Sequence, residues 1–422
     1  MPNAEQNTVQ PDVPQKIVTE TSDSSLVEQK EKKSEPAKKR RAFIVLIVLG
    51  ILEFLGGLAC ILFVLLTPKE ELPDLVFPEI PSSRSEAAVY SDLTGLPLAD
   101  ANAKNAPAYC IQTPNGTDGA RPQVGLTDAG VIFEAIAEAG ITRFAAIYQN
   151  PSSNVIGPVR SLRIYYLQWD TPFDCTIVHA GGAANAIDAV RQGGYKDLSE
   201  SYAYMWRGGY GVRRWNNLFT SSQYLRQFSD DAGYTSSNIN GFSRMTPSES
   251  KKSRIDSGAK KLIITEPTTE NTATISPSVT NINIYFGGWP SFNVNYRYNA
   301  DSNTYARWFE TGDPHEVYQC PTEDYGEPNP EDVCNLTQLS PAVVVAMMVN
   351  ERKADDGYLE DITTIGSGEV HIFQNGTVIH GTWNKGSVGE QIRFYDDAGA
   401  EIKLAPGQTF VEAVPGYGGV EY

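Results

Sequence analysis

The longest uninterrupted apolar segment of the chain is Ala42–Thr67, a run of 26 residues that contains a single charge, Glu53. At about 1.5 Å per residue, a helix of this length can span a hydrocarbon core of about 30 Å. The preceding residues, 1–41, are rich in Glu, Lys, Gln, Ser, Thr and Pro. That composition is typical of disordered segments, because it offers too little apolar surface to bury. The pattern therefore predicts a disordered tail (1–41) and a transmembrane helix (42–67).

Basic residues lie mainly on one side of the predicted span. Only Lys69 follows it closely, whereas seven cations precede it: Lys30, Lys32, Lys33, Lys38, Lys39, Arg40 and Arg41. Because cations are retained on the cytoplasmic side, we expect a single-pass protein of the cell membrane with a cytoplasmic N-terminus and the bulk of the chain outside the cytoplasm. A cleaved signal peptide is the alternative, but its apolar core usually has about 7–15 residues. The tripeptide Leu58-Ala59-Cys60 is similar to a lipoprotein cleavage site, yet the apolar run continues to Leu66.

The remaining sequence divides into a linker and two domains. Residues 68–91 contain Pro and Glu without periodicity, which predicts an extracytoplasmic linker. Residues 92–253 alternate strand and helix signals, which indicates an α/β-type domain. Residues 260–422 contain mostly strand-like runs and are expected to form a mainly antiparallel β domain. The predicted fold class is therefore α+β, preceded by the transmembrane helix.

Five segments describe the expected order of elements in the first domain. Ile141–Tyr148 has the β-branched and aromatic composition of a strand, and Thr176–His179 predicts a second, shorter one. The apolar-periodic stretch Val159–Trp169 predicts a helix between them, and the alanine-rich Ala183–Arg191 predicts a helix after them. The stretch Thr127–Ala139 fits either a helix or a strand followed by a turn, because its periodicity does not distinguish the two.

The second domain is expected to consist of strands and hairpins. The strand-like runs are Lys261–Thr265, Ile282–Phe286, Phe292–Tyr298, Thr304–Phe309 and Ala342–Val349. Glu369–Phe373 and Val378–Trp383 flank Asn375-Gly376, which is the favoured sequence of a two-residue hairpin turn. Gln391–Tyr395 begins a second hairpin, and Phe410–Val414 is the last predicted strand.

Charge and composition narrow the range of functions. The formal net charge is −17, and residues 1–67 carry eight cations and eight anions, so the whole excess belongs to the predicted external part. A strong negative charge repels phosphate, which argues against nucleic acid as a partner. The sequence contains no P-loop, Gly-x-Ser-x-Gly or His-Glu-x-x-His motif. It therefore identifies no class of enzyme and no cofactor, and it favours a binding or scaffold protein.

The predicted external part contains four cysteines, namely Cys110, Cys175, Cys320 and Cys334. Four cysteines allow three pairings. Cys320 and Cys334 are only 14 positions apart across an acidic loop, which favours a disulfide between them and leaves Cys110 and Cys175. There is no Cys-x-x-Cys motif and the four histidines are scattered, so no metal site is expected.

A candidate ligand site lies around two arginines. If the two predicted strands are parallel neighbours, the helix starts that follow them meet at one edge of the sheet, where α/β proteins bind ligands. Arg160 and Arg163 would then share one face of a first helical turn. His179 ends the second strand, and Gly181 and Gly182 permit close approach of the backbone. Guanidinium groups and helix N-termini favour anions, so the arrangement predicts an anion site.

The alternative interpretation is an internal ion-pair network in which Arg160 and Arg163 pair with Glu134 and Glu138. These two glutamates could also form an acid–base pair of the glycosidase kind if they shared a helix face, although glutamate pairs on helices are commonly exposed to solvent without a catalytic role.

A further run, Trp206 to Asn217, combines aromatic, cationic and amide side chains. Its Arg213, Arg214 and Asn217 suit recognition of a sugar or an anion, and the run equally suits a packed loop.

Six segments occur in order along the chain. They are ARPQVGL from Ala120, GVIFEAIAEAGITRFAAIYQ from Gly130, IGPVRSLRIYY from Ile156, VHAGG from Val178, SGEVHIFQNGTVIHGTWNKG from Ser367 and DDAGAEIKLAPGQTFVEAVP from Asp396. The series resembles the DUF3048 family, also called YerB-like, over about Asp92–Pro415. The resemblance implies an exported lipoprotein or single-span anchored protein of the bacterial envelope whose biochemical function is unassigned. It draws attention to Arg121, Glu134, Glu138, Arg143, Arg160, Arg163 and His179.

The chain departs from the family pattern at one segment. Where family members usually have a Pro-His-Asn-Leu-like sequence, this chain has Trp215-Asn216-Asn217-Leu218. The missing histidine argues against histidine catalysis at that position. The acidic cysteine loop, 320–334, resembles an insertion.

These observations lead to three hypotheses. The first is a membrane-anchored envelope protein that binds an anionic or glycan ligand, such as cell-wall glycan, or an envelope protein partner, through an Arg/Glu/His-rich cleft. The second is an enzyme that acts on cell-wall polymer or a phosphorylated lipid-linked precursor, with arginines holding phosphate while a carboxylate moves a proton. The third is a structural partner protein whose polar cluster is internal.

Overall fold

The structure, a computed structural model, describes residues 88–208, 216–256, 279–323 and 326–422. The predicted tail (1–41), the predicted transmembrane helix (42–67), most of the predicted linker (68–91) and the strand expected at Lys261–Thr265 lie outside these ranges. Within them, no helix combines the length and the apolar character needed to cross a bilayer. Arg84–Tyr422 forms a compact unit.

The described residues form twenty strands and five α-helices. The strands are β1 (Ala108–Pro114), β2 (Val131–Glu138), β3 (Ile141–Gln149), β4 (Thr176–His179), β5 (Asp197–Ser199), β6 (Trp206–Arg207), β7 (Leu218–Phe219), β8 (Asn281–Tyr285), β9 (Val294–Asn299), β10 (Thr304–Phe309), β11 (Glu316–Gln319), β12 (Asn335–Gln338), β13 (Val343–Val349), β14 (Glu351–Lys353), β15 (Glu360–Ile362), β16 (Gly366–Gln374), β17 (Thr377–Lys385), β18 (Arg393–Asp396), β19 (Thr409–Pro415) and β20 (Gly419–Glu421). The helices are α1 (Ile164–Asp170), α2 (Ala184–Gly193), α3 (Ser222–Ala232), α4 (Pro247–Asp256) and α5 (Pro330–Val333).

Ten strands form one mixed sheet in the order β18-β17-β16-β13-β19-β2-β3-β1-β4-β5. Its centre, β13, β19 and β2, is parallel, whereas β2, β3 and β1 pair antiparallel. Four strands, in the order β10-β9-β8-β20, form an antiparallel second sheet. Strands from residues 92–253 and from residues 260–422 both enter the large sheet; the boundary between two domains stays a prediction. The α+β class is confirmed, with mostly strands and few helices.

Apolar side chains cover both faces of the large sheet. On one face α1 packs against the strands, where the rings of Trp169 and Phe133 stack with centroids 5.4 Å apart. On the other face the four-stranded sheet contributes Ile284 and Tyr296 to a core that also contains Phe410. Because both faces are buried, β2, β13 and β19 are almost continuously apolar instead of alternating.

Several predicted elements are confirmed. Ile141–Tyr148 lies within β3, Thr176–His179 is β4, and the alanine-rich helix is α2. The ambiguous stretch Thr127–Ala139 contains β2, so its strand interpretation is the correct one. The predicted Asn375-Gly376 turn joins β16 to β17, with φ of 54° and 73° at the two residues, as a type I′ turn requires.

Two expectations about the first domain are wrong. The helix predicted over Val159–Trp169 begins only at Ile164, and Arg163 before it has an extended backbone. The preceding residues are extended because they bond to two strand ends: the Arg160 N–H donates to the Gln112 carbonyl at 2.7 Å, and the Ala180 N–H donates to the Arg160 carbonyl at 3.0 Å. The predicted parallel strands β3 and β4 are not neighbours. Because β1 lies between them, antiparallel to β3 and parallel to β4, they run in opposite directions.

Both disulfides are formed. Cys110 of β1 is bonded to Cys175, which directly precedes the neighbouring strand β4. Cys320 is bonded to Cys334 and closes the acidic loop after β11. Of the three pairings that the sequence leaves open, this is the one that the short separation favours.

Candidate functional site

The extended segment between Val159 and Arg163 brings three arginines together near the ends of β1 and β4. It is held by the bonds of Arg160 described above and by a third, in which the Leu162 N–H donates to the Gly181 carbonyl at 3.0 Å. Arg143, at the start of β3, donates to the Ser161 carbonyl at 3.0 Å. We call Glu138, Arg143, Arg160 and Arg163 the arginine cluster.

Glu138 is the one carboxylate in this cluster. It ends β2, where the register with β3 shifts between Ile136 and Glu138. Arg143 donates to one oxygen of Glu138, and Arg163 donates to the other at 2.5 Å. All three side chains are nearly buried. One carboxylate thus binds two guanidinium groups, which leaves a positive charge in a poorly solvated place.

Arg160 adds to this excess. It is half-buried, and in the part of the chain that the structure describes its side chain makes no hydrogen bond or ion pair; its Nε is buried without a partner. Burial lowers its pKa, and the charges of Glu138 and Asp118 only partly oppose that effect. Burial also lowers the pKa of Arg143. Further carboxylates lie nearby, because Asp118 acts on Arg160, Asp356 acts on Arg163, and Glu200 pairs with the neighbouring Arg207, so that four arginines face four carboxylates.

The predicted residues His179, Gly181 and Gly182 lie beside the arginine cluster. Nδ1 of His179 bonds to the Gly181 carbonyl at 2.7 Å, so it must carry a hydrogen, and Nε2 lies 2.9 Å from Asp197 Oδ1. His179 is therefore a buried, hydrogen-bonded histidine. A cavity of about 240 Å³ borders on His179, Gly181, Gly182 and Asp197. No atom of the described residues lies within 4 Å of the place that a Cβ on Gly181 would occupy, so the backbone is open there.

A second polar cluster lies between the ten-stranded sheet and the four-stranded sheet, and its central residues are completely buried. Its centre is Glu134 of β2, which binds Arg307 of β10 through one oxygen. The other oxygen accepts from Thr142 Oγ1 at 2.6 Å and from Asn115 Nδ2 at 3.0 Å. Arg307 Nε lies 3.8 Å from the carboxylate of Glu412, the register partner of Glu134 on β19. We call these residues, with Arg121, Gln123, Tyr296 and His315, the buried network.

The hydrogen bonds and pKa shifts of the buried network indicate which of its side chains carry a proton. Arg307 can only donate, so Nδ1 of His315 accepts from it, and Nε2 donates to Gln123 Oε1 at 2.9 Å. Burial, followed by the charges of Arg307 and Arg121, holds the pKa of His315 well below its usual value, which agrees with a neutral ring. Burial and the neighbouring Glu134 raise the pKa of Glu412 well above its usual value. We therefore expect Glu412 to be the carboxyl of the pair that holds a proton.

Arg121 lies at the border of the buried network. Its Nε donates to Asn115 Oδ1 at 2.9 Å, and its guanidinium carbon lies 3.8 Å from the ring centroid of Phe309. Burial, together with the charge of Arg307, lowers its pKa to about 9. The side chain thus packs against the interior, away from the arginine cluster on the other face of the large sheet.

The structure separates the two predicted glutamates. The register shift in β2 directs Glu138 to the arginines near α1, whereas Glu134 binds Arg307 of the four-stranded sheet. They do not share a face, so the arrangement offers no acid–base pair. Asn217 binds Arg207 at 3.1 Å, and Arg213 and Arg214 lie outside the described residues. Among the described residues, no group of three or more His, Cys, Asp or Glu side chains is suited to hold a metal ion.

Sequence reasoning missed Arg307, His315 and Glu412. A signal was present for two of them: Arg307 in TYARWF and Glu412 in TFVEAVP are charged residues within otherwise apolar or aromatic strands. A charge in a buried strand needs a partner. The identity of that partner was not readable, because Arg307 and Glu134 are 173 positions apart.

Two family models match this chain. Residues 93–235 match the model of the N-terminal domain described as "Protein of unknown function (DUF3048)", and residues 282–411 match the corresponding C-terminal domain. A Bacillus subtilis (strain 168) protein named "Putative lipoprotein YerB" is 26% identical over 332 residues, covering 76% of this chain and 85% of the relative. The crystal structure of YerB from Bacillus subtilis has a similar fold, with a TM-score of 0.61 at 22% identity, over 79% of this chain and 100% of that one.

Proposed function

This chain belongs to the DUF3048 family, and from that premise we propose that it is a cell-envelope protein whose external part binds an anionic group of an envelope polymer through the arginine cluster. The anionic group is a phosphate or a carboxylate. The observation that carries the proposal is Arg160, a half-buried guanidinium group without a hydrogen-bond partner among the described residues, beside two arginines that share one carboxylate.

The physical argument concerns uncompensated charge. A buried cation without a counter-charge is unfavourable, because its lost hydration is not replaced. An anion that reaches Arg160 gains planar, charge-assisted hydrogen bonds from a guanidinium group that has no partner among the described residues. Gly181 leaves the backbone open beside Ala180, whose N–H bonds to the Arg160 carbonyl, and this opening gives a ligand room to approach. We expect the bound group to be small, since Arg143 and Arg163 are already bonded to Glu138.

The location of the protein is part of the proposal. Two disulfides are consistent with an oxidising compartment outside the cytoplasm, and the relative's name describes a lipoprotein. We propose that residues 42–67 span the membrane once with residues 1–41 inside, as the distribution of Lys and Arg indicates. A protease added to right-side-out membrane vesicles should then digest the chain beyond residue 67. Digestion only in inside-out vesicles would contradict this orientation.

Anion binding is testable with the full-length protein purified in a mild detergent. Calorimetric titrations with inorganic phosphate and with acetate separate the two candidate groups. Arg160→Ala should weaken binding about tenfold or more, because it removes the unpaired guanidinium group. Arg226→Ala, which removes an exposed arginine of α3, is the matched control and should leave binding unchanged. Equal affinities of wild type and Arg160→Ala, or no binding of either anion, would refute the proposal.

A further inference from the structure

Three parallel strands end side by side at one edge of the large sheet. They are β13, β19 and β2, and their pairings are parallel throughout. Glu351 follows the first strand, Tyr417 follows the second, and Glu138 ends the third. Because parallel strands share the direction of their carboxyl ends, this edge gathers segments that are distant in sequence, and it is the edge at which sheets of this kind bind ligands. We call it the carboxyl edge.

Three aromatic side chains are largely exposed at the carboxyl edge. Trp289, Tyr417 and Tyr358 are exposed to 62%, 60% and 59%, respectively. Trp289 donates from its indole N–H to the Ala139 carbonyl at 3.2 Å, and Tyr417 donates to Glu351 Oε1 at 2.7 Å. Tyr358 precedes Leu359, which forms a bridge with Glu138. Hydrogen bonds therefore fix the orientation of two large rings that expose most of their apolar surface to water.

The residue that packs against the Tyr417 ring is a glycine, Gly287, which leaves room for the ring. Gly287 has φ of +72°, and a Cβ at this position would lie 2.4 Å from Cδ2 of the Tyr417 ring. Any other residue would displace the ring or strain the turn. The turn that contains Gly287 also carries Trp289, so one turn supports both exposed rings.

The charged groups beside these rings are paired, with three carboxylates against two cations. Arg352 pairs with Asp361 and, at 3.7 Å, with Asp355, and Lys353 pairs with Glu360. A cavity of about 210 Å³ lies among them, lined also by Arg163, Asn185 and Leu359. These paired groups offer many hydrogen-bond donors and acceptors, and their charges cancel except for one excess carboxylate. Such a surface suits an uncharged ligand that is rich in hydroxyl groups better than it suits an ion.

We propose that the carboxyl edge is a saccharide-binding surface, where the apolar C–H faces of sugar rings pack on Trp289 and Tyr417 and their hydroxyls bond to the adjacent charged and amide groups. Sugar rings combine an apolar face with a polar rim, which matches exposed, fixed aromatic rings bordered by hydrogen-bonding side chains. Arg163 lines the cavity beside these rings and also belongs to the arginine cluster, but the ligand and the residues that carry the two proposals differ, and neither proposal depends on the other.

The test is a calorimetric titration of the full-length protein in detergent with two uncharged probes, a tetramer of N-acetylglucosamine and a tetramer of glucose. We expect binding of at least one probe. Trp289→Ala and Tyr417→Ala should each weaken it about tenfold, because each removes one stacking ring. Trp289→Phe should retain most of the affinity. Tyr395→Ala, at an exposed tyrosine of the edge strand β18, is the matched control and should bind as the wild type does.

Two results would overturn the proposal: no binding of either tetramer at millimolar concentration, or equal affinities of the wild type and Trp289→Ala. Circular dichroism of each variant shows whether it is folded, and because the replaced rings are mostly exposed, we expect unchanged spectra. Phosphate titrations of Trp289→Ala and saccharide titrations of Arg160→Ala distinguish this proposal from the anion site. Each variant should affect only its own ligand.

Discussion

The two carboxyls of the buried network should substitute for each other as the counter-charge of Arg307. Glu134 is bonded to Arg307, whereas burial and the neighbouring Glu134 raise the pKa of Glu412 well above its usual value. Glu134→Gln removes the bonded charge and also the main charge that keeps Glu412 neutral. Glu412 should then ionise, 3.8 Å from Arg307 Nε. At an effective dielectric constant of about 20, one charge pair at this distance attracts by about 4 kcal/mol before desolvation is counted.

The expected magnitudes follow from this exchange. Removing one partner of a buried ion pair generally destabilises a protein by about 3–5 kcal/mol, but here we expect only about 1–2 kcal/mol for Glu134→Gln, because Glu412 takes over. Glu412→Gln should lose less than about 1 kcal/mol, since the amide resembles the protonated carboxyl. The double variant leaves Arg307 buried without an anion and should lose about 3–5 kcal/mol. The effects should therefore be clearly non-additive.

Urea denaturation of the wild type, both single variants and the double variant measures the coupling. The pair Glu134→Gln with Glu390→Gln, an exposed glutamate, is the control and should be additive. Infrared spectroscopy supplies a second readout, since the carbonyl band of the protonated Glu412 should disappear in Glu134→Gln. Additivity of the Glu134 and Glu412 variants within about 0.5 kcal/mol would refute the exchange, and so would a band that persists in Glu134→Gln.

Three further predictions concern stability. Replacing Cys110 and Cys175 by Ser opens a loop with a sequence separation of 65 and should destabilise the fold by about 4 kcal/mol in a denaturation experiment; an unchanged midpoint would contradict this. Burial raises the pKa of Glu351 from 4.5 to about 7, so the folded state retains a proton that the unfolded state releases, and the contribution of this group should be largest below about pH 4.5 and fall as the pH rises to about 7. Glu351→Gln should abolish that fall, and a wild-type profile in the variant would contradict the assignment. Ser221 caps α3 by accepting from the Tyr224 N–H at 3.0 Å, and Ser221→Ala should lose about 1 kcal/mol in urea denaturation, whereas Ser221→Gly should lose only a few tenths.

The sequence predicted local structure well where a short segment decides it. The strand at β3 follows from its own β-branched and aromatic residues, and the β16–β17 hairpin follows from Asn375-Gly376, whose positive φ angles fit one type of turn. The disulfide of Cys320 and Cys334 follows from a separation of 14 residues. In each case the determining interaction lies within a few turns of chain, so its signal is present in the local pattern.

Prediction from the local sequence pattern was wrong where the backbone forms hydrogen bonds with residues distant in sequence. Residues 159–163 have the periodicity of a helix, but their backbone groups bond to the ends of β1 and β4, and those bonds require an extended chain. The register shift near the end of β2 is a second example. It places Glu134 and Glu138 on opposite faces, although their spacing in a regular strand would place them on one.

The sequence by itself determined the apolar runs, the elements that they form, the cysteines and the family. It also supplied most residues of the arginine cluster, although by way of a parallel strand pair that does not exist. Only the tertiary structure decided that Glu138 binds two arginines while Arg160 has no partner among the described residues, and that Arg307 and Glu412 join Glu134. These outcomes depend on which strands become neighbours in a ten-stranded sheet. Strand pairing joins residues far apart in the chain, so no local pattern contains the information.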